Sequence, residues 1–388
     1  MAENKALAFR QKHLISLLEG YERQSAPIDF FVSSYFRANR ALGSKDRASI
    51  SEDVYHLIRW KALLDYQLEV RAIAPTWRAR AALRAERDPK EYFDQEEIPL
   101  HIRVGMPQEL FTELTSSWGE QKAVEIALVC NEQAPTFVRV NALKTTREEL
   151  LAKWQAQGYF VSAGKEAGTA ICFHKKLNFF TLPEFTQGLF EVQDEGSQRV
   201  AELVQAEPGQ KVLDFCAGSG GKTLAFAPRL LGKGQIFLHD IRAPALREAK
   251  KRLKRAGIQN AQTVLSEDLS RLKMLKKSMD WVVVDAPCSG TGTLRRNPDM
   301  KFKFSQEMLS RLVSQQRVIF EKALSFVRPK GHILYITCSI LKQENREQVE
   351  HFLRTLPIEQ VGEPFETIPE SGKRDGFFAV LFKRKDVV

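Results

Sequence analysis

KVLDFCAGSGGKT, residues 211–223, decides how this chain is read. A short apolar run (Val212, Leu213, Phe215) ends in a cluster of glycines, the pattern of a buried strand that turns sharply into a helix. Working outward from it, strand-like runs alternate with helix-like ones after Pro208 and Gly209. The strand-like runs are KVLDF (211–215), QIFLHD (235–240), AQTVLS (261–266), DWVVVDA (280–286) and HILYIT (332–337). Helix-like segments lie near 222–231, 244–256, 305–327 and 342–355. This alternation predicts an α/β domain over 206–388 with a mostly parallel, doubly wound sheet.

In such a sheet a ligand binds outside the carboxyl ends of the strands, so the residues there carry the chemistry. Three readings of the glycine loop compete. A phosphate-binding GxxxxGK[ST] loop would need glycine where Cys216 stands, and a dinucleotide GxGxxG would need its last glycine at Thr223. The remaining reading is a methyl-donor site formed by Cys216, Ala217, Gly218, Ser219, Gly220, Gly221 and Lys222. There Asp240, 26 residues after Asp214, is placed to hold ribose hydroxyls, and Asp268, in SEDL after the third strand, to reach an adenine edge. Asp285 closes the fourth strand. Any single aspartate is as readily a helix cap or turn residue; acids at four successive strand ends, Asp214 included, point to one site.

Cys288 follows the fourth strand in DAPCSGTG and Cys338 the fifth in HILYITCS. A lone buried cysteine is usually an inert small hydrophobe. Two at adjacent active-edge strand ends suggest a thiolate at work, the side chain suited to reversible addition to carbon 6 of a cytosine whose carbon 5 is otherwise a poor nucleophile.

Upstream the texture changes. Residues 126–205 hold short strand-like runs (TFVRVNAL, GTAICFH, GLFEVQD) around TTREELLAKWQAQG, which predicts a small α+β module. Residues 1–125 carry apolar positions at three- and four-residue spacing, as in IDFFVSSYFRANRAL, and predict an all-helical domain. Pro75 and the charge-rich RARAALRAERDPKEYFDQEE interrupt it, as either a basic helix or a flexible excursion.

At 388 residues the chain is long enough for two or three cores. A net charge of +10 and a pI near 9.3 favour a polyanionic partner, although a run such as KKRLKR (250–255) is usually only the solvated face of a helix. No stretch approaches the roughly 20 apolar residues that cross a bilayer, and MAENKALAFRQKHLISLLEG lacks the features of a secretory signal. A cytoplasmic protein without membrane contact is expected. Five cysteines without a CxxC pair and scattered histidines without HExxH predict reduced thiols and no metal.

DAPCSGTG and TCS, with RVN (139–141), GLFEVQDEGSQ (188–198), RRNPD (295–299) and DGFF (375–378), resemble the motifs of the NOP/Sun RNA cytosine-5 methyltransferases, especially their bacterial RsmB-like branch. The resemblance covers about residues 126–388. It implies a Rossmann-like class I methyltransferase domain that uses S-adenosyl-L-methionine, with Cys338 as nucleophile, Cys288 assisting product release, Asp285 catalytic, and the loop 216–222 with Asp240, Asp268 and Asp285 at the cofactor. LGSKDR (42–47) followed by a helix resembles the NusB-like RNA-binding domain of that branch. One departure stands out: Ser219 occupies the place where the family loop usually has proline before its glycine pair.

Ribosomal RNA is the substrate the resemblance favours, with transfer RNA as the alternative and a monomer expected. A DNA-type mechanism would make Cys288 the attacker, which the TCS motif argues against. A non-catalytic RNA-binding or ribosome-assembly protein would need only the basic surfaces, yet both cysteines and the whole loop are present.

Overall fold

The computed structural model describes residues 2–386 except 25 and 176. The chain divides into two compact units, one formed by Met1–Gln133 with Thr293–Gln306 and the other by Ala134–Gly292 with Glu307–Val388.

The first unit is helical: α1 (Ala2–Glu22), α2 (Ile28–Ala38), α3 (Ser44–Arg59), α4 (Lys61–Val70), α5 (Trp77–Glu86), the single turn α6 (Leu100–Arg103), α7 (Gln108–Trp118) and α8 (Glu120–Cys130). Helix α3 shows why these segments fold as they do. Ile50, Val54, Leu57 and Ile58 recur on one stripe and are buried, packing with Leu17, Leu18 and Leu63 of neighbouring helices. The first half of the charge-rich stretch, to Glu86, proves to be a basic helix, α5, capped by the Thr76 hydroxyl, with Arg80 paired to Asp65 and Arg84 to Asp53. The rest is a short turn from Pro89 to Tyr92 with irregular chain. Helix α8 runs past residue 125 to Cys130.

Residues 293–306 lie far along the chain from these helices and belong to their unit. They bring polar side chains into it: Arg295, Asp299 and Lys301 are all buried. Asp299 accepts from the Tyr21 hydroxyl at 2.7 Å. The ammonium of Lys301 donates to Asn131 Oδ1 and to the carbonyls of Arg59 and Gly105.

The second unit opens with β1 (Thr136–Val140), α9 (Arg147–Ala156), β2 (Val161–Ala163), β3 (Ala170–Phe173), the turn α10 (Pro183–Thr186) and β4 (Phe190–Val192). Its four strands form an antiparallel sheet in the order β2-β3-β1-β4. After α11 (Glu195–Glu202) come β5 (Lys211–Asp214), α12 (Gly221–Phe226), β6 (Gln235–Asp240), α13 (Ala243–Ala256), β7 (Ala261–Leu265), α14 (Leu269–Leu275) and β8 (Met279–Asp285). Helix α15 (Gln306–Leu324), β9 (Val327–Thr337), α16 (Arg346–Thr355), β10 (Ile358–Thr367) and β11 (Phe377–Arg384) complete it.

Seven strands form one sheet in the order β10-β11-β9-β8-β5-β6-β7. β5 to β9 run parallel, and β11 is antiparallel to both its neighbours. The central strands are buried on both faces, as a parallel sheet requires. Within β8, Val282 and Val284 enter one apolar cluster while Trp281 and Val283 enter the other. The fold is α/β with the expected mostly parallel sheet. The two terminal strands and α14 were not anticipated from sequence. Among the described residues no helix is long and apolar enough to cross a membrane.

Candidate active site

The carboxyl ends of β5, β6, β8 and β9 bring most of the expected residues together. β5 ends at Asp214, which is fully buried and accepts from the Thr223 hydroxyl at 2.7 Å. Its second oxygen, Oδ1, has no hydrogen-bond partner. Burial pushes this carboxyl up to about 7, with the Thr223 bond opposing and the Asp285 charge adding to the rise. The loop then turns through Gly220, whose φ of +80° a side chain would strain, and enters α12.

Lys222, in the first turn of α12, reaches the end of β8 and donates to Asp285 at 2.9 Å. Burial alone would disfavour the ammonium. The Asp285 carboxylate outweighs that cost, helped by Cys338 and Asp214, so the lysine holds its proton more firmly than usual. Just beyond Asp285, Cys288 Sγ lies 3.4 Å from Cys338 Sγ at the end of β9. The Cys288 thiol is pushed well above its ordinary value by its hydrogen bond to Cys338, then by burial and by the Glu344 carboxylate.

The two cysteine loops are stitched together by buried polar groups that sequence reading missed. Glu344, fully buried, accepts from the Ser289 backbone and from Gln316, each at 2.9 Å. Thr291 accepts from the Ile340 backbone, and Asn345 donates to the Ser339 carbonyl. Gly292 donates its N–H to the Cys338 carbonyl, and its own carbonyl accepts from Gly376 of the DGFF stretch. A Cβ at Gly292 would lie 2.2 Å from the Gly376 oxygen, so glycine is required there by close approach. The local signal for this network was the run after Cys338, SILKQEN, of which Ser339 was read only as part of TCS and residues 342–345 only as the start of a helix.

Beside the cysteines opens a crevice of about 550 Å³, lined by Phe215, Cys216, Asp240, Arg242, Asp285 and Ile319 among others. Asp240 accepts from the Gly218 backbone and from the backbone and guanidinium of Arg242. Burial opposes its ionisation, but those bonds hold it below the usual carboxylate range. Burial pushes the Cys216 thiol up, as befits a wall residue. Apolar walls for a flat ring, a carboxylate at the β6 end for hydroxyl donors, and the orphaned Asp214 oxygen behind the loop fit a nucleoside cofactor with a charged tail. Asp268 is placed differently. It is not among the crevice-lining residues, and its carboxylate caps α14 by accepting from the Arg271 backbone.

The antiparallel module braces this loop. Arg139 of β1, buried, donates to Gln193 and to the Gly221 carbonyl, which also accepts from Gln193. At Ser219, Arg252 of α13 donates to both the carbonyl (2.9 Å) and the hydroxyl (2.8 Å). Arg252 is itself ion-paired with buried Glu191 of β4, which also holds Arg255. Side-chain bonds thus fix a position whose backbone a proline would fix covalently.

Comparison with known proteins agrees with this geometry. Residues 201–383 match the family described as "16S rRNA methyltransferase RsmB/F", and residues 106–179 match "Methyltr_RsmF/B-like, ferredoxin-like domain". The ribosomal RNA small subunit methyltransferase B of Klebsiella pneumoniae subsp. pneumoniae is 31% identical over 307 residues, 76% of this chain and 69% of that one. That of Proteus mirabilis is 33% identical over 260 residues, where the match spans 66% of this chain and 60% of the relative's length. In fold, the chain resembles the crystal structure of PH0851 (TM-score 0.82, 22% identity, covering 97% of this chain and 98% of that one). It also resembles that of NSun6 from Pyrococcus horikoshii with SFG (TM-score 0.65, 18% identity, 72% and 99%). With its motifs, its sheet order and these matches, the chain belongs to the RsmB/F methyltransferase family.

Proposed function

We propose that the protein methylates carbon 5 of a cytosine in RNA with S-adenosylmethionine, through a covalent bond from Cys338. The observation that carries this reading is the pair of thiols 3.4 Å apart beside the Lys222 and Asp285 ion pair and the crevice. Bound in that crevice, with the ribose hydroxyls on Asp240 in exchange for the exposed Arg242 guanidinium, S-adenosylmethionine supplies an electrophilic methyl group.

Cys338 Sγ, as the thiolate, adds to carbon 6 of the cytosine, and the electron pair displaced to carbon 5 takes the methyl group as its bond to the sulfonium sulfur breaks and a neutral thioether leaves. The Lys222 ammonium is held beside the site by its bond to Asp285, and Asp285, a third exposed, hydrogen-bonds the ring as charge develops. A water molecule takes the carbon 5 proton, whose electron pair returns to the ring and breaks the bond from carbon 6 to sulfur, restoring the Cys338 thiolate. The Cys288 thiol, kept protonated by its hydrogen bond to Cys338 and by burial, donates that hydrogen bond to the departing thiolate and so assists release. The names of the curated relatives favour ribosomal over transfer RNA. In this reading the helical residues 1–125 act as a NusB-like RNA-binding domain and 126–205 as an accessory RNA-binding module.

The test is denaturing electrophoresis of cysteine variants incubated with RNA and labelled cofactor. Cys338→Ala is expected to give neither methylation nor adduct, and Cys288→Ala a denaturation-resistant RNA adduct. The reverse pattern would make Cys288 the nucleophile, as in the DNA-type mechanism.

A further inference from the structure

Helix α13 carries six lysines and arginines, and the structure divides them into two groups. Arg252 and Arg255 turn inward to Glu191. Arg247, Lys250, Lys251 and Lys254, at the i, i+3, i+4 and i+7 positions of one face, line a separate groove with Arg271 of α14. They span about 10 Å of helix.

The groove measures about 880 Å³ and has no carboxylate in its lining. Lys251 has an exposed ion pair with Glu248, which such exposure makes weak, and Arg271 donates to the neutral Gln262. Five cations thus line a concavity that has no carboxylate of its own, with only the exposed Glu248 paired to one of them, an arrangement that costs free energy through mutual repulsion unless a polyanion shares it.

The groove has a second character. Leu253, Ile258 and Ala261 give it an apolar floor, and Gln259, Gln262 and Thr263 add hydrogen-bonding groups. β7, the last strand of the sheet, lines it and is paired with β6 along one edge only. A concave, apolar-floored and cation-rimmed channel suits a chain that alternates flat bases with phosphates better than a flat anionic membrane. The helix also has direction: Asp240 and Arg242 at the cofactor crevice lie immediately before its first residue, and the basic face leads away from them.

We propose that this groove is a backbone track for RNA, holding phosphates on Arg247, Lys250, Lys251, Lys254 and Arg271 while another part of the same strand reaches the cysteines. The assignment rests on the RNA reading above and adds to it a binding surface outside the site of chemistry. Phosphate contacts of this kind position a nucleic acid without reading its sequence.

The experiment measures affinity of the full chain for a fluorescein-labelled single-stranded RNA of about 30 nucleotides across a salt series. Lys250→Gln with Lys254→Gln is compared with Lys211→Gln with Lys330→Gln, an equal loss of charge at the amino ends of β5 and β9. Each lost phosphate contact flattens the plot of log affinity against log salt by about 0.7. The groove variant is therefore expected to lose about 1.4 of slope, and about five- to ten-fold in affinity at 0.15 M salt. The control is expected to keep the wild-type slope, and both variants to keep wild-type affinity for S-adenosylmethionine in calorimetry. A groove variant with unchanged slope and affinity, or one impaired no more than the control, overturns the track even where the wild type methylates RNA. So does a variant that loses binding to phosphatidylserine vesicles but not to RNA. A wild type that binds RNA with the expected slope difference yet methylates none would overturn the enzymatic reading and leave the track standing. A wild type that binds no RNA overturns both.

Discussion

Each compact unit buries a lysine, and the two are held in opposite ways. Lys301, wholly buried among the helices, has only neutral oxygens as acceptors: Asn131 Oδ1 and two backbone carbonyls. Burial lowers its proton affinity to about 7, with Cys130 opposing that shift and Arg59 adding a smaller push in the same direction as burial. Lys222, almost as deeply buried beside the cysteines, faces the Asp285 carboxylate and holds its proton more firmly than a lysine in water. The same side chain thus becomes a structural joint in one unit and a permanent cation in the other. What differs is a single opposite charge, not the degree of burial.

The sharpest break of this contrast is to remove each amine in turn. Lys222→Met is expected to cut methyl transfer by at least about 100-fold, the scale of losing one charge-stabilising group at a reaction centre. Lys301→Met should leave the cysteine chemistry intact and instead cost about 3 kcal/mol in urea denaturation, because it strands three buried acceptors. A Lys222→Met enzyme with near wild-type turnover would remove the ammonium from the mechanism.

A second test turns one environment into the other. Asp285→Asn leaves Lys222 buried beside a neutral acceptor, which is the situation of Lys301, and is expected to cost about 3 kcal/mol. Adding Lys222→Met to Asp285→Asn should recover part of that loss. Additive losses would show that the pair is not coupled.

The pH dependence separates the units by sign. A lysine whose folded proton affinity is depressed stabilises fully above its unfolded value near 10.5 and loses that contribution as pH falls through about 7. Asp214 is the opposite case: its folded value is raised to about 7, so its contribution is present below about 4 and is lost as pH rises through about 7. Thermal melts from pH 4 to 9 should therefore show Lys301→Met flattening the alkaline half and Asp214→Asn the acid half. Each should do so by no more than about 1.4 kcal/mol per pH unit. Identical profiles for wild type and variants would contradict both assignments.

The smallest expected effect concerns Ser219. Arg252→Ala should weaken cofactor binding about five-fold, as an ordered loop regains freedom, and Ser219→Pro in that background should restore it. Failure of the proline to rescue would mean that Arg252 acts through Glu191 alone.

Sequence reading reached the strand ends because apolar runs stop abruptly at Asp214, Asp240 and Asp285, and glycine and proline mark the turns. It could not reach what depends on distant partners. Arg252 and Glu191 are 61 residues apart, and nothing local marks either as a brace. β10, IEQVGEPFET, is polar and contains both Gly and Pro, so its pairing with β11 has no clean two-residue signature. RRNPD (295–299) was legible as a family motif, but its segment was not legible as part of the helical unit, because buried Arg295, Asp299 and Lys301 are the types least expected in a core.

That last segment bears on how the chain is made. Helices α1 to α8 are complete by Cys130, but the residues that satisfy Tyr21, Asn131 and the Arg59 and Gly105 carbonyls are translated about 160 positions after the first stretch of the unit ends. At 5 to 20 residues per second the ribosome needs roughly 8 to 32 s to supply them. Throughout that interval the nascent helices wait with a polar seam open, while strands β1 to β8 emerge behind them. A fragment ending near residue 133 would remain in that waiting state permanently, so the helical unit is expected to be recovered in soluble form only when residues 293–306 are supplied to it.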